Sequence, residues 1–231
     1  MDTHTNIQLM KLLQVCDSYF PIGAFTLSNG LETYVQKEIV HDIDTLREYI
    51  KHFLYLFRYN DLGFLRFAWE YTESGSIDGI EKLDNLLSAS KSPQEVRNGS
   101  EKLCVRFIKA VEVMDKSEGL MKYKALIRDK KCCGHHCIAM GIYTGDQGID
   151  EKLAMSIYAY NAVSGIVNNA AKMIPLSQLQ GQKLLREYLP MVLDTVEETM
   201  KVDYEELGIS LPAFDIRAME HERLYSRLYM S

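Results

Sequence analysis

The chain has 231 residues, of which 47% are apolar and 25% charged, with a formal net charge of −6. That length and balance allow a buried core without staples and exclude wholesale disorder. The acidic charge argues against a general nucleic-acid binder, which presents a basic surface.

Five prolines and 14 glycines suit long helices better than a many-turned β-sandwich. Ile7, Met10, Leu13 and Val15 predict a first helix, ended before Phe20-Pro21 because the residue preceding proline disfavours the α region. Residues 17–30 read as a loop anchored by Phe20, Ile22, Phe25 and Leu27. Thr45-Leu-Arg-Glu48 fits a capping box, with Leu46, Tyr49, Ile50, Phe53, Leu54 and Phe57 following at helical spacing in a helix expected to run past Gly63 towards Trp69. Ser92-Pro-Gln-Glu95 predicts another start, with Ser92 as N-cap and proline at the first helical position. Leu103, Phe107, Ile108, Val111 and Met114 form its stripe. Leu120, Met121, Ala125 and Leu126 predict a further helix, and Ala139, Met140 and Ile142 a short one broken near Gly145 and Gly148.

Asp150 then caps a long helix in which residues 153–171 carry no charge. Ser156, Asn161, Ser164, Asn168 and Asn169 lie within it, and in lipid each amide would need a partner. A bundle interior, with the helix apolar nearly all round, fits that composition better than a membrane. Last helices are expected over residues 178–187 and 191–201. No strand alternation of useful length and no fixed-period repeat is present. The fold expected is all-α: a single-domain bundle around the uncharged helix, with a body over 1–201 and a partner-binding tail over 202–231.

Motifs for catalysis are missing. The chain has no G-x-x-x-x-G-K-[ST], no G-x-G-x-x-G after a strand and no G-x-S-x-G. His221-Glu222 begins a zinc-protease pattern, but residue 225 is tyrosine. No enzyme activity and no cofactor are therefore expected. The five cysteines are an odd number, with Cys132, Cys133 and Cys137 clustered, and a reduced, cytoplasmic chain without a signal peptide is the simplest expectation. Cys132-Cys133-Gly134-His135-His136-Cys137 holds five soft or borderline ligands. It lacks the distant second pair of a structural zinc site, so metal binding there is the weaker alternative to cysteines acting as small hydrophobes. The tail places Phe214, Ile216, Met219, Leu224, Tyr225, Leu228 and Tyr229 among Arg217, Arg223 and Arg227. Such a terminus is either an interface or a last helix docked on its own body.

Four stretches together resemble the urease accessory protein UreF family: Asp17-Ser-Tyr-Phe-Pro-Ile-Gly-Ala-Phe-Thr-Leu-Ser-Asn-Gly-Leu-Glu-Thr-Tyr34, Gly134-His-His-Cys-Ile-Ala-Met-Gly141, residues 158–185 with Ile174-Pro-Leu-Ser-Gln178, and residues 219–231. Departures are Lys172 and Ser177, where many members have Arg and Gly, and Glu220, where a basic residue is common. The resemblance implies an all-helical homodimer that helps insert nickel into apo-urease, binds UreD (also called UreH) and recruits the GTPase UreG. It implies partner-binding roles for Glu32, Tyr34, His221, Glu222, Tyr225, Arg227 and Leu228, and a dimer contact around Tyr158 and Tyr160. Two alternatives accompany this scaffold reading: a nickel-binding chaperone using Cys132, Cys133, His135, His136 and Cys137, and a GTPase-activating or gating factor acting through an arginine such as Arg227.

Overall fold

Helical spacing along the chain becomes helix almost end to end. The computed structural model describes residues 3–210 and 212–229, without the side chains of residues 3, 4 and 25. Phe25 as a loop anchor, and Met230 and Ser231 in the tail, thus lie outside the described residues. The order is α1 (Thr3–Cys16), a 3-10 turn (Ala24–Thr26), α2 (Leu31–Gln36), α3 (Ile43–Phe57), α4 (Asp61–Glu73), α5 (Ile77–Ser90), α6 (Gln94–Met114), α7 (Glu118–Arg128), α8 (His136–Asp146), α9 (Glu151–Ala170), α10 (Gln178–Thr199), a second 3-10 turn (Tyr204–Glu206) and α11 (Pro212–His221). Among the described residues there is no strand, and no helix is long and apolar enough to cross a membrane. The fold is all-α and single-domain.

The bundle closes most tightly around α8, in which Cys137, Ile138, Ala139, Met140, Gly141, Ile142, Tyr143, Thr144 and Gly145 are all buried. Its glycines let α4 approach: a β-carbon on Gly141 would sit 2.3 Å from the Leu65 carbonyl oxygen and 2.8 Å from the Ala68 Cβ. Helix α9, uncharged beyond Lys152, packs against α1, α3, α4, α8 and α10. It buries Ala154, Met155, Ala159, Val163, Ile166, Val167 and the polar Asn169 but leaves Tyr160, Asn161, Gly165 and Asn168 exposed on one open stripe. Asp150 caps it as expected, accepting from the Leu153 amide at 2.8 Å.

Several boundaries differ from those expected. Helix α3 begins earlier, because Asp42 is the cap: its Oδ1 accepts from the Thr45 amide at 2.8 Å and the Thr45 hydroxyl accepts from the Asp42 amide at 3.1 Å. Thr45 is the third helical residue of that box. Helices α3 and α4 are separate, since the Asn60 amide donates to the Leu56 and Ile209 carbonyls and stops the first helix. At α6 the cap position is Pro93 and makes no side-chain bond. The Ser92 hydroxyl turns back to the Ser90 carbonyl. The two expected last helices are one, α10, which runs through Pro190. The proline is exposed, while Leu184, Leu185, Tyr188, Val192 and Val196 continue the buried stripe past it. Proline costs one ladder bond, and continuous burial on the opposite face offsets it. Helix α5 was not expected; Ser76 caps it, and Ile80, Leu83 and Leu87 bury its stripe.

Candidate functional site

Helix α2 is one and a half turns long, too short to stand alone. Its place is fixed by Gly30, whose φ of 89° and close approach to Ala218 of α11 both require glycine: a β-carbon would lie 3.2 Å from the Ala218 Cα. The packing of α2 and α11 buries Glu32 to 4% exposure and His221 to 0%. A carboxylate at that depth needs hydrogen-bond partners, and Glu32 has them. Its Oε1 accepts from the Leu228 amide at 2.7 Å, and its Oε2 accepts from the Tyr229 amide at 3.1 Å and lies 3.1 Å from His221 Nε2. The other ring nitrogen of His221 lies 2.6 Å from Glu95 of α6. The His221 ring thus bridges the two carboxylates, one at each nitrogen. Glu95 in turn accepts from the Arg227 guanidinium at 2.8 Å.

Around this chain of charges the tail is held at further points. The Gln36 amide donates to the Ser226 carbonyl at 2.8 Å. Tyr229 is buried; its hydroxyl donates to the Asn169 carbonyl at 3.4 Å, while the Asn169 amide donates to the Leu27 carbonyl at 2.9 Å. Upstream, Phe214 enters an aromatic group with Tyr34 (centroids 5.5 Å) and Tyr49 (5.4 Å). Burial pushes the Tyr34 phenol up, with Arg217 opposing it. The docked tail is thus a clasp whose two ends, residues 30–36 and 221–229, come from opposite ends of the chain.

The structure therefore brings Glu32, Tyr34, His221, Arg227 and Leu228 into one region, but their side chains do different things. Glu32 and His221 face inward and hold the tail. Tyr34 is half-buried, and Arg227 lies at the edge, paired with Glu95. Glu222, Tyr225 and Leu228 project outward, Tyr225 completely. Sequence reading did not give Glu95 or Asn169 a place here. Glu95 registered only as a helix-start carboxylate, and its only signal was that position.

Tyr158 and Tyr160 do not share a face. Tyr158 stacks on Phe57 at 5.9 Å and its hydroxyl lies 3.4 Å from His136 Nδ1, whereas Tyr160 is exposed. The Cys132–Cys137 segment does not converge on a point. Cys133 is exposed, while Cys132 and Cys137 are buried. The His135 ring lies between the hydroxyls of Ser88 (2.9 Å) and Ser100 (3.2 Å), and the His136 ring packs edge-on against Phe107. Burial pulls His135 down to about 3 and His136 down to about 4, and pushes the Cys132 thiol up to about 12. These are neutral, packed side chains. The turn that carries them is organised by Asp84, which accepts from the Cys133 amide at 2.7 Å and the Gly134 amide at 3.0 Å. Among the described residues no group of three His, Cys, Asp or Glu side chains is arranged to hold a metal ion.

The family model described as UreF matches residues 40–189. Proteins named urease accessory protein UreF align over nearly the whole chain. That of Actinobacillus pleuropneumoniae serotype 5b (strain L20) is 36% identical over 97% of this chain and 99% of its own length. That of Haemophilus influenzae (strain PittGG) is 38% identical over 96% of this chain and 95% of its own. That of Bacillus sp. (strain TB-90) is 34% identical over 97% of this chain and 99% of its own. These alignments reach beyond the family model into both ends of the clasp, and on them the chain belongs to the UreF family of urease accessory proteins.

Proposed function

We propose that this protein is a non-catalytic scaffold for nickel insertion into apo-urease, binding UreD (UreH) and recruiting the GTPase UreG. One observation carries this reading. The clasp gathers Tyr34 and Arg227 from opposite ends of the chain into one region, and leaves Tyr225, Leu228 and Glu222 facing outward on it. Exposed aromatic and aliphatic side chains beside an arginine are the composition of a binding hot spot. On this reading residues 1–201 form the body and 202–231 the partner-binding tail. The working form is a cytoplasmic homodimer with closed twofold symmetry, with Tyr160 on the open stripe of α9 as its contact. Nucleotide chemistry belongs to UreG.

The test is co-purification with UreD and UreG. Tyr34→Ala and Arg227→Ala each lower the recovered UreG at least about tenfold while UreD stays bound, as expected when a central interface side chain is truncated. Undiminished UreG recovery from both variants would overturn the reading.

A further inference from the structure

Beside the clasp, the docked tail completes a cleft of about 480 Å³ against α6 and the loop before α2. Its walls come from three parts of the chain: Leu27 of the loop, Glu95, Lys102 and Arg106 of α6, and Arg227 and Tyr229 of the tail. Three cations thus border one opening in a protein whose net charge is −6. The carboxylate there, Glu95, is already engaged by His221 and Arg227. Arg106 donates to the Ile22 carbonyl at 3.0 Å, and among the described residues neither Arg106 nor Lys102 has an ion-pair partner. Both are exposed. Leu27 and Tyr229 supply apolar wall beside these charges.

We propose that this cleft binds an acidic segment of a partner protein, a carboxylate-bearing side chain with an apolar neighbour, and that it exists as a site only while the tail is docked. Unpaired cations converging on an acidic molecule's surface are complementary to such a segment, and a carboxylate meets an arginine fork in bidentate geometry. An apolar wall favours a peptide over a bare anion, because a peptide brings side-chain surface to bury. The inference deepens the scaffold reading and rests on it for the claim that the ligand is a protein.

The experiment uses the full chain and a fluorescein-labelled decapeptide of alternating glutamate and leucine, read by anisotropy at low and at physiological salt. A decapeptide with lysine in place of glutamate is the control ligand. The glutamate peptide binds the wild type, weakens with salt, and loses at least about tenfold in affinity on Lys102→Glu and on Arg227→Ala. Lys109→Glu makes the same charge change on α6 outside the cleft and leaves binding within about twofold of the wild type. The proposal is overturned if the lysine peptide binds equally well, or if Lys109→Glu weakens binding as much as Lys102→Glu. It is also overturned if inorganic phosphate binds in a Lys102-dependent way while the peptide does not, which would make the cleft a small-anion site. Peptide binding without UreG recruitment would sink the scaffold reading and leave the cleft standing; recruitment without peptide binding would do the reverse.

Discussion

Glu32 fixes the tail more directly than any other side chain, because both of its oxygens are spent on the segment 221–229. Removing one partner of a buried charged group leaves the others uncompensated, which typically costs about 3 kcal/mol. Glu32→Ala is therefore expected to undock the tail without unfolding the bundle: exchange of the Leu228 and Tyr229 amides speeds up about a hundredfold, while the α8 amides stay protected. Glu32→Gln, which keeps acceptor oxygen but loses the charge facing His221, falls in between. Unchanged exchange at Leu228 and Tyr229 in Glu32→Ala would show that the clasp does not hold the tail. The two interior histidines make a different prediction. His135 and His136 are depressed to about 3 and about 4 by burial, whereas the unfolded chain binds those protons near pH 6.5. Between these values the unfolded state holds more protons, so their contribution is complete above about pH 6.5 and is lost as pH falls towards the folded values. At pH 5 the loss is about 2 kcal/mol for each. Glu151, raised to about 7 by burial, acts in the opposite sense and offsets part of this. Urea midpoints at pH 7 and pH 5 check it: the wild type weakens on acidification, and His136→Gln weakens less. A variant as acid-labile as the wild type would contradict the assignment.

At the scale of elements, the contact between α4 and α8 is the closest helix approach described above. Gly141→Ala would drive a methyl group into the Leu65 carbonyl. Overpacking against backbone cannot be relieved by a rotamer change, and a loss of about 3 kcal/mol is expected, read as a lowered thermal midpoint. Gly165→Ala, on the open stripe of α9 where a β-carbon meets nothing within 4 Å, is the matched control and is expected to stabilise slightly. Which elements could be read in advance follows from the same physics. Helix α9 and its Asp150 cap were legible because composition and cap agree. Helix α5 was hidden, since its short stripe is interrupted by Gly79, Asp84 and Asn85. The split between α3 and α4 depends on Asn60 bonding to Ile209, a contact far along the chain. The clasp was legible only in part. Resemblance singled out Glu32, Tyr34, His221 and Arg227 as partner-binding positions, but the pairing of Glu32 with His221 and of Glu95 with both His221 and Arg227 joins residues distant in sequence and has no local signature.

On the scale of the whole molecule, the proposed scaffold role predicts that removing the end of the tail separates folding from partner recruitment. The body holds its own core, from Leu12 of α1 to Val196 of α10. Val202 and Leu207 also belong to that core, whereas residues 212–229 add only Ala218 and Tyr229 as buried apolar side chains among the described residues, together with a row of polar bonds. A segment held mainly by hydrogen bonds and charges opens at lower cost than a packed core. It can therefore couple one partner's binding to another's, provided that the partners differ in their affinity for the docked tail. The most direct measurement is a chain ending at Arg223, mixed with UreD and UreG and resolved by size-exclusion chromatography with light scattering, its helicity checked by circular dichroism. The account predicts near-native helicity and an elution profile in which UreG runs free. A truncated chain that keeps its helicity and still carries UreG in one complex would contradict it.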